Sequence, residues 1–163
     1  MVCAILAIAL VMLSGTVAST SRLFPSSRDN YMACQAASNK IEEMRNEELS
    51  DIFRMYNGIG ADDPLGPGTA PGAGFAAPGL TPLPGDPDGM AGEILFPEQD
   101  GQLREDFVST LLGTPRDLNC DAGIDDGDHA DDWVILPVVI RVEWQSSGGP
   151  RKLEVPTMIA RYE

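Results

Sequence analysis

The chain has 163 residues, which fits one domain with an appendage, and its hydrophobic content of 43% is enough to form a core. With 25 acidic and 11 basic side chains it carries a net charge of −14, so it lacks the clustered Lys and Arg that nucleic-acid binding requires. Its 17 glycines and 13 prolines are unevenly distributed, which indicates that the folded part is smaller than the whole chain.

The first predicted element is an apolar segment, residues 1–20. No charged side chain occurs from Val2 to Ala18, a run of 17 residues. That length is at the short limit for crossing a bilayer, which needs about 20 residues. Two interpretations are open: a retained transmembrane helix, or a signal peptide cut after Ala18 that lacks the usual positively charged start. The retained helix better explains the helical pattern that follows.

Residues 21–56 are predicted to continue this helix in amphipathic form. Apolar or small side chains recur in steps of three to five, and Ile41, Met44 and Ile52 belong to the face expected to meet the globular part. Pro25 either begins a renewed helix or kinks a continuous one. After it, no proline or glycine interrupts the pattern before Asn57-Gly58, which is a natural helix stop.

A Gly/Pro-rich segment, residues 57–92, follows the predicted helix. Glycine and proline account for 17 of its 36 residues. Such a composition cannot bury enough apolar surface to offset the entropy of ordering the chain. The sequence therefore predicts a mobile loop here.

Residues 93–163 are predicted to form a β-rich globular part. Residues 93–96 form a short strand candidate, whereas 103–112 fits either a strand or one to two helical turns. Residues 134–144 form the clearest strand, because every even-numbered side chain is apolar. The turn at 146–150 predicts that residues 153–160 return antiparallel to it.

An acidic loop, residues 117–132, lies just before this strand. It contains seven aspartates and no Lys or Arg. Oxygen side chains recur at the first, third, fifth, ninth and twelfth positions of a calcium-type loop, and a backbone carbonyl falls at the seventh. The predicted calcium ligands are Asp117, Asn119, Asp121, Gly123, Asp125 and Asp128. The sixth position is Ala122 instead of glycine and the twelfth is a short aspartate, so a solvated acidic turn is the alternative.

The sequence indicates no catalytic site. His129 is the only histidine, and a lone loop histidine is usually a surface group. A zinc site needs three or four converging ligands, and Cys120 is the only thiol near His129 in the sequence. Cys34 and Cys120 could pair in an oxidising compartment. We therefore predict a protein that is not an enzyme.

The chain resembles the type IV pilin and pseudopilin superfamily, in particular minor pilins of the pilus-modification type. The segments that carry the resemblance are MVCAILAIALVML, ACQAASNKIEEMR and VVIRVEW…GGPRKLEVPTMIARY. Pilin precursors begin with a basic leader and a Phe-Thr-Leu-x-Glu start whose phenylalanine is N-methylated. Met1-Val2 looks like the point just after that motif, so peptidase processing and methylation are expected upstream of the sequence given.

This resemblance implies an α+β fold, in which one long N-terminal helix packs its second half on a small antiparallel sheet. It implies a structural subunit of a type IV pilus or of a type II secretion pseudopilus. It also implies a single-pass inner-membrane location with the globular part in the periplasm, before extraction into the filament. The expected partners are the inner membrane and other pilin subunits, bound through the N-terminal helix. The alternative is a secreted, calcium-stabilised binding module with a signal peptide.

Overall fold

A computed structural model describes residues 27–161, which form two helices, a four-stranded sheet and a two-stranded hairpin. The elements are α1 (27–45), α2 (Ile52–Tyr56), β1 (Gly74–Phe75), β2 (Gly92–Leu95), β3 (Glu98–Gln99), β4 (Gln102–Leu103), β5 (Ile135–Ser146) and β6 (Gly149–Ala160). The predicted element 1–20 and the start of 21–56 lie outside the described residues.

The main sheet is antiparallel, with strand order β1-β2-β5-β6. Strands β5 and β6 pair along their whole lengths, from Ile135 opposite Ala160 to Ser146 opposite Gly149. Two residues, 147 and 148, connect them in a tight hairpin turn. The predicted strand at 134–144, the return strand and the turn between them are therefore confirmed, and so is the short strand predicted at 93–96, with bounds shifted by one residue.

One face of this sheet forms most of the core. The even-numbered side chains of β5 from Leu136 to Trp144 are almost fully buried, as the alternating pattern predicts. The register places Leu136 beside Ile159 and Val142 beside Leu153, so these apolar side chains of β6 lie on the same side of the sheet.

Helix α1 covers this face with a stripe of small side chains. Ala33, Ala36 and Ala37 are buried together with Met44 in the same cluster as the β5 residues, and Ile41 packs against that cluster. Small side chains allow the helix backbone to lie close to the sheet. The predicted packing of Ile41, Met44 and Ile52 against the β5 face is consistent with this cluster.

The predicted long N-terminal helix, and with it the predicted fold class, is wrong. Within the described residues α1 ends at residue 45, a turn follows, and only the short α2 precedes Asn57. The reason is geometric: at 3.6 residues per turn, a continuous helix would place Phe53 about 180° away from Met44. Both side chains have 0% exposure in one core, which requires the chain to turn between them. The described fold is sheet-rich, with one substantial helix.

The predicted single-pass inner-membrane location is contradicted as well. Among residues 27–161, no helix has both the length and the apolar character needed to span a membrane. The apolar run on which that prediction depended lies outside these residues.

The Gly/Pro-rich segment 57–92 contributes directly to the fold. It supplies β1, which pairs with β2, and it buries Phe75 and Ala77 in the core. Its backbone also bonds to distant elements, since Gly72 N donates to Met55 O at 3.0 Å and Gln145 N donates to Thr81 O at 2.8 Å. The mobility predicted for this segment stays a prediction.

Candidate metal centre

The acidic loop 117–132 is fastened at both ends to the strands beside it. The carbonyl of Leu118 accepts hydrogen bonds from Val134 N at 2.7 Å and Ile135 N at 2.9 Å, at the start of β5. His129 N donates to Leu103 O at 2.9 Å, and Leu103 N donates to Asp128 Oδ1 at 3.1 Å. The loop is therefore held against β4 on one side and β5 on the other.

The predicted calcium ligands in the first half of the loop are engaged by the loop's own backbone. Asp117 accepts hydrogen bonds from the amides of Cys120 at 2.6 Å and Ala122 at 2.9 Å. Asn119 Oδ1 accepts from Asp121 N at 3.1 Å, and Asp121 Oδ1 accepts from Gly123 N at 2.7 Å. These contacts order the loop, and in its second half Asp125 Oδ1 accepts the Gly127 amide in the same way, at 2.6 Å.

Backbone strain occurs where the sequence departs from a calcium-type loop. Ala122, at the sixth position, has φ of 71°, in the left-handed region that favours glycine. Cys120 is also left-handed, with φ of 65°. The loop thus turns at the sixth position as a calcium-type loop does, but Cys120 and Ala122 adopt a backbone conformation that glycine adopts more easily. Cys34 and Cys120 are both free and exposed, so the pairing considered from the sequence is not formed.

Glu105, just after β4, is the buried centre around which the loop is arranged. Its side chain is only 1% exposed. Oε1 accepts hydrogen bonds from Leu118 N at 2.6 Å and Asn119 N at 3.3 Å, and Oε2 accepts from Asp125 N at 3.2 Å. One carboxylate therefore satisfies three amides of the acidic loop.

His129 lies beside this carboxylate, with a side chain 6% exposed. Its Nε2 is 3.2 Å from Asp125 Oδ1 and 3.8 Å from Glu105 Oε2. On the other side of the ring, Nδ1 is 3.1 Å from Asp132 Oδ1. The ring is thus held between carboxylates on both sides.

Glu105, Asp125 and His129 form a group that could hold a metal ion. One ligand atom from each residue lies within 4.8 Å of the other two. Two of the side chains are buried, and that of Asp125 is 62% exposed, so the group is reached from solvent on one side. Of the six calcium ligands predicted from the sequence, this group includes Asp125 alone. Among residues 27–161, Asp117, Asp121 and Asp128 form no such group of three acidic, histidine or cysteine ligands.

The electrostatics of the group reflect the excess of negative charge. Burial lowers the pKa of His129, but the hydrogen bond to Asp132, the charge of Glu105 and the hydrogen bond to Asp125 together raise it above its ordinary value. The amide of Gly127 and the His129 ring lower the pKa of Asp125. Within the described residues, Asp131 is the aspartate of this loop that contacts an arginine, with Arg54 Nη2 at 2.7 Å.

The sequence reasoning missed Glu105 and therefore rejected a site at His129. Glu105 stands in the run Arg-Glu-Asp, which reads as ordinary surface charge, and it is 20 residues away from Asp125. No local spacing signals that these residues meet. The spacing of Asp125 and His129, four residues apart, is visible in the sequence, but two ligands alone do not indicate a metal site.

Comparisons with models of protein families, with characterised proteins and with solved structures find no match for this chain. The resemblance to pilins accordingly stays a prediction from the sequence.

Proposed function

We propose that this protein is a structural subunit of a filament of the type IV pilin or pseudopilin class. The main support is the order of its parts: a charge-free apolar segment in the sequence, then a helix whose small side chains cover one face of an antiparallel sheet. A pilin-like subunit needs such a helix, because it presents one side to its own sheet and the other to neighbouring subunits.

The exposed side of α1 is the surface we assign to contact with other subunits. Tyr31 is 68% exposed, and Cys34 and Ser38 are exposed on the same side of the helix, three and seven residues further on. A large aromatic ring beside small side chains is suited to packing against another helix, since small residues permit close approach. The proposed partners are other filament subunits.

The test is incorporation of the full chain into filaments in its native host. Wild-type protein should copurify with filaments sheared from the cells. Tyr31→Glu should lose most of this incorporation, because it places a charge in the subunit contact. Val108→Glu is the matched control: Val108 is also apolar and 80% exposed, but it lies in the connection between β4 and β5.

Three outcomes are informative. Both variants should keep the wild-type melting temperature, since both side chains are exposed. Equal incorporation of Tyr31→Glu and Val108→Glu would show that the exposed side of α1 does not contact other subunits. Absence of the wild-type protein from the filament fraction would contradict the filament role itself.

A secreted binding module stabilised by calcium is the second candidate. The concentration of seven aspartates in the acidic loop favours it, because a divalent cation would relieve their mutual repulsion. The thermal midpoint of the protein in millimolar calcium and in EGTA tests this, with Asp121→Ala as the variant expected to abolish any difference. Mass spectrometry of the native N-terminus separates the two candidates: a methylated phenylalanine upstream of Met1 supports the filament subunit, and a free Ser19 supports the secreted module.

A further inference from the structure

The His129 ring is oriented in the way that metal-binding histidines are. A histidine that ligates a metal through one nitrogen usually donates the other N–H to a carboxylate or carbonyl, which fixes its tautomer and direction. Here Asp132 Oδ1 lies 3.1 Å from Nδ1. With the proton on Nδ1, the lone pair of Nε2 is directed at the side where Asp125 and Glu105 lie.

The Nε2 side of the ring faces carboxylates that are not paired with a lysine or an arginine of residues 27–161. Nε2 faces two carboxylate oxygens, Asp125 Oδ1 and Glu105 Oε2. Among residues 27–161, neither carboxylate forms a salt bridge with a lysine or an arginine. A buried carboxylate such as Glu105 is stabilised by a nearby positive charge, which a bound ion supplies when the His129 ring is neutral.

The three ligand atoms are spaced for a small divalent ion. Tetrahedral coordination with zinc–nitrogen and zinc–oxygen bonds of about 2.0–2.2 Å places neighbouring ligands about 3.4 Å apart. The distances of 3.2 Å and 3.8 Å from Nε2 to the two oxygens bracket this value. All three ligand atoms lie within 4.8 Å of one another, so the two oxygens need to approach each other by at most about 1.4 Å to reach this spacing.

The donor set also selects the kind of ion. Calcium takes six to eight oxygen ligands, whereas within residues 27–161 this group offers one imidazole nitrogen and two carboxylates. Imidazole together with carboxylate suits zinc and its first-row neighbours. Three protein ligands leave a fourth position for water, on the side where Asp125 is exposed to solvent.

We propose that Glu105, Asp125 and His129 form a binding site for one zinc-class divalent ion, with Asp132 as the residue that positions the His129 ring. The ion would join β4 to the acidic loop in front of β5 and so brace that side of the sheet. This proposal does not depend on the filament role. It also differs from the predicted calcium site, because Glu105 and His129 are not among the six predicted calcium ligands.

The experiment titrates the full, untagged chain with zinc chloride by calorimetry. Wild-type protein should bind one zinc ion. Asp125→Asn should weaken zinc binding by at least about tenfold, the loss typical for even the outer residues of metal sites. The variant retains an oxygen that can accept the Gly127 amide, so the loop turn is preserved. Asp126→Asn is the matched control, with the same loss of charge one residue away and an affinity within about twofold of wild type.

A second measurement identifies the ligand directly. Because His129 is the only histidine in the chain, its ring signals in nitrogen NMR need no assignment. Zinc should shift the Nε2 resonance while Nδ1 keeps its proton, and a tenfold excess of calcium should not reverse the shift. Failure of the wild type to bind zinc, an equal loss in Asp125→Asn and Asp126→Asn, or an unchanged Nε2 signal would each overturn the proposal.

Discussion

Replacing Glu105 by alanine should be among the most destabilising single changes in the described part of the chain. The carboxylate is buried and accepts hydrogen bonds from three amides, those of Leu118, Asn119 and Asp125. Alanine at 105 leaves all three without this acceptor. The acidic loop then loses the group that orders it, although its sequence is unchanged.

The magnitude follows from the surroundings of each amide. The bond to Leu118 is buried, so the unpaired amide costs about 1–3 kcal/mol. The other two amides are partly buried and can reach water, which limits their loss to about 0.5–1 kcal/mol each. Removing a negative charge from an acidic region offsets a part of this. We expect a net loss of about 2–4 kcal/mol from a total stability of about 5–15 kcal/mol.

Urea unfolding in the presence of EDTA, followed by tryptophan fluorescence, measures this loss without any contribution from bound metal. Trp133 is fully buried next to the loop and reports its unfolding. Asp106→Ala is the control, because Asp106 is the adjacent exposed carboxylate and pairs with Arg104 at the surface. If the two variants lose the same stability, Glu105 does not organise the loop and the reasoning fails. Faster hydrogen exchange of the Leu118 amide in Glu105→Ala alone would support it further.

Three further changes test the core, a charge pair and a turn. Met44→Ala should cost about 2–5 kcal/mol in thermal unfolding, because Met44 has 0% exposure where α1 meets the sheet. Burial and the charge of Asp62 raise the pKa of Glu98, so the folded state holds the proton more tightly and ionisation destabilises it. Glu98→Gln should therefore raise the melting temperature at pH 7, with a gain that disappears below about pH 4. Gly101→Ala should cost more than about 1 kcal/mol, since φ is 81° and a Cβ would meet Ile59 Cδ1.

Each of these three predictions would be contradicted by a specific result. An unchanged midpoint for Met44→Ala would mean that α1 does not pack as described. A gain for Glu98→Gln that persists at pH 3 would have a cause other than ionisation. Full stability of Gly101→Ala would show that the turn tolerates a side chain at this position.

The β5–β6 hairpin could be predicted from the sequence because its signals are local. Alternation of apolar side chains over residues 134–144 determines which face is buried, and the glycines of the turn allow the chain to reverse. The register then follows from keeping the apolar faces of both strands on one side. A second local signal was present and overlooked: Asp100-Gly101, with φ of 53° and 81°, forms the two-residue turn between β3 and β4.

The break after α1 could not be predicted in the same way. The residues from 46 to 51 contain no proline or glycine, so local propensity allows the helix to continue. What ends it is the need to bury Met44 and Phe53 on the same core, where Phe53 packs edge-on against Phe96 with ring centres 5.4 Å apart. Packing against distant strands outweighs a weak local preference.

The composition and spacing of the acidic loop were enough by themselves to predict a cation site in this region. Which residues meet there was decided only by the tertiary structure. Glu105 reaches the acidic loop because Leu103 in β4 forms hydrogen bonds with Asp128 and His129 of that loop. These bonds bring the Glu105 carboxylate next to the His129 ring, although the two residues belong to different segments. A sequence pattern records spacing along one segment, whereas a ligand set of this kind depends on how two segments are placed by the sheet between them.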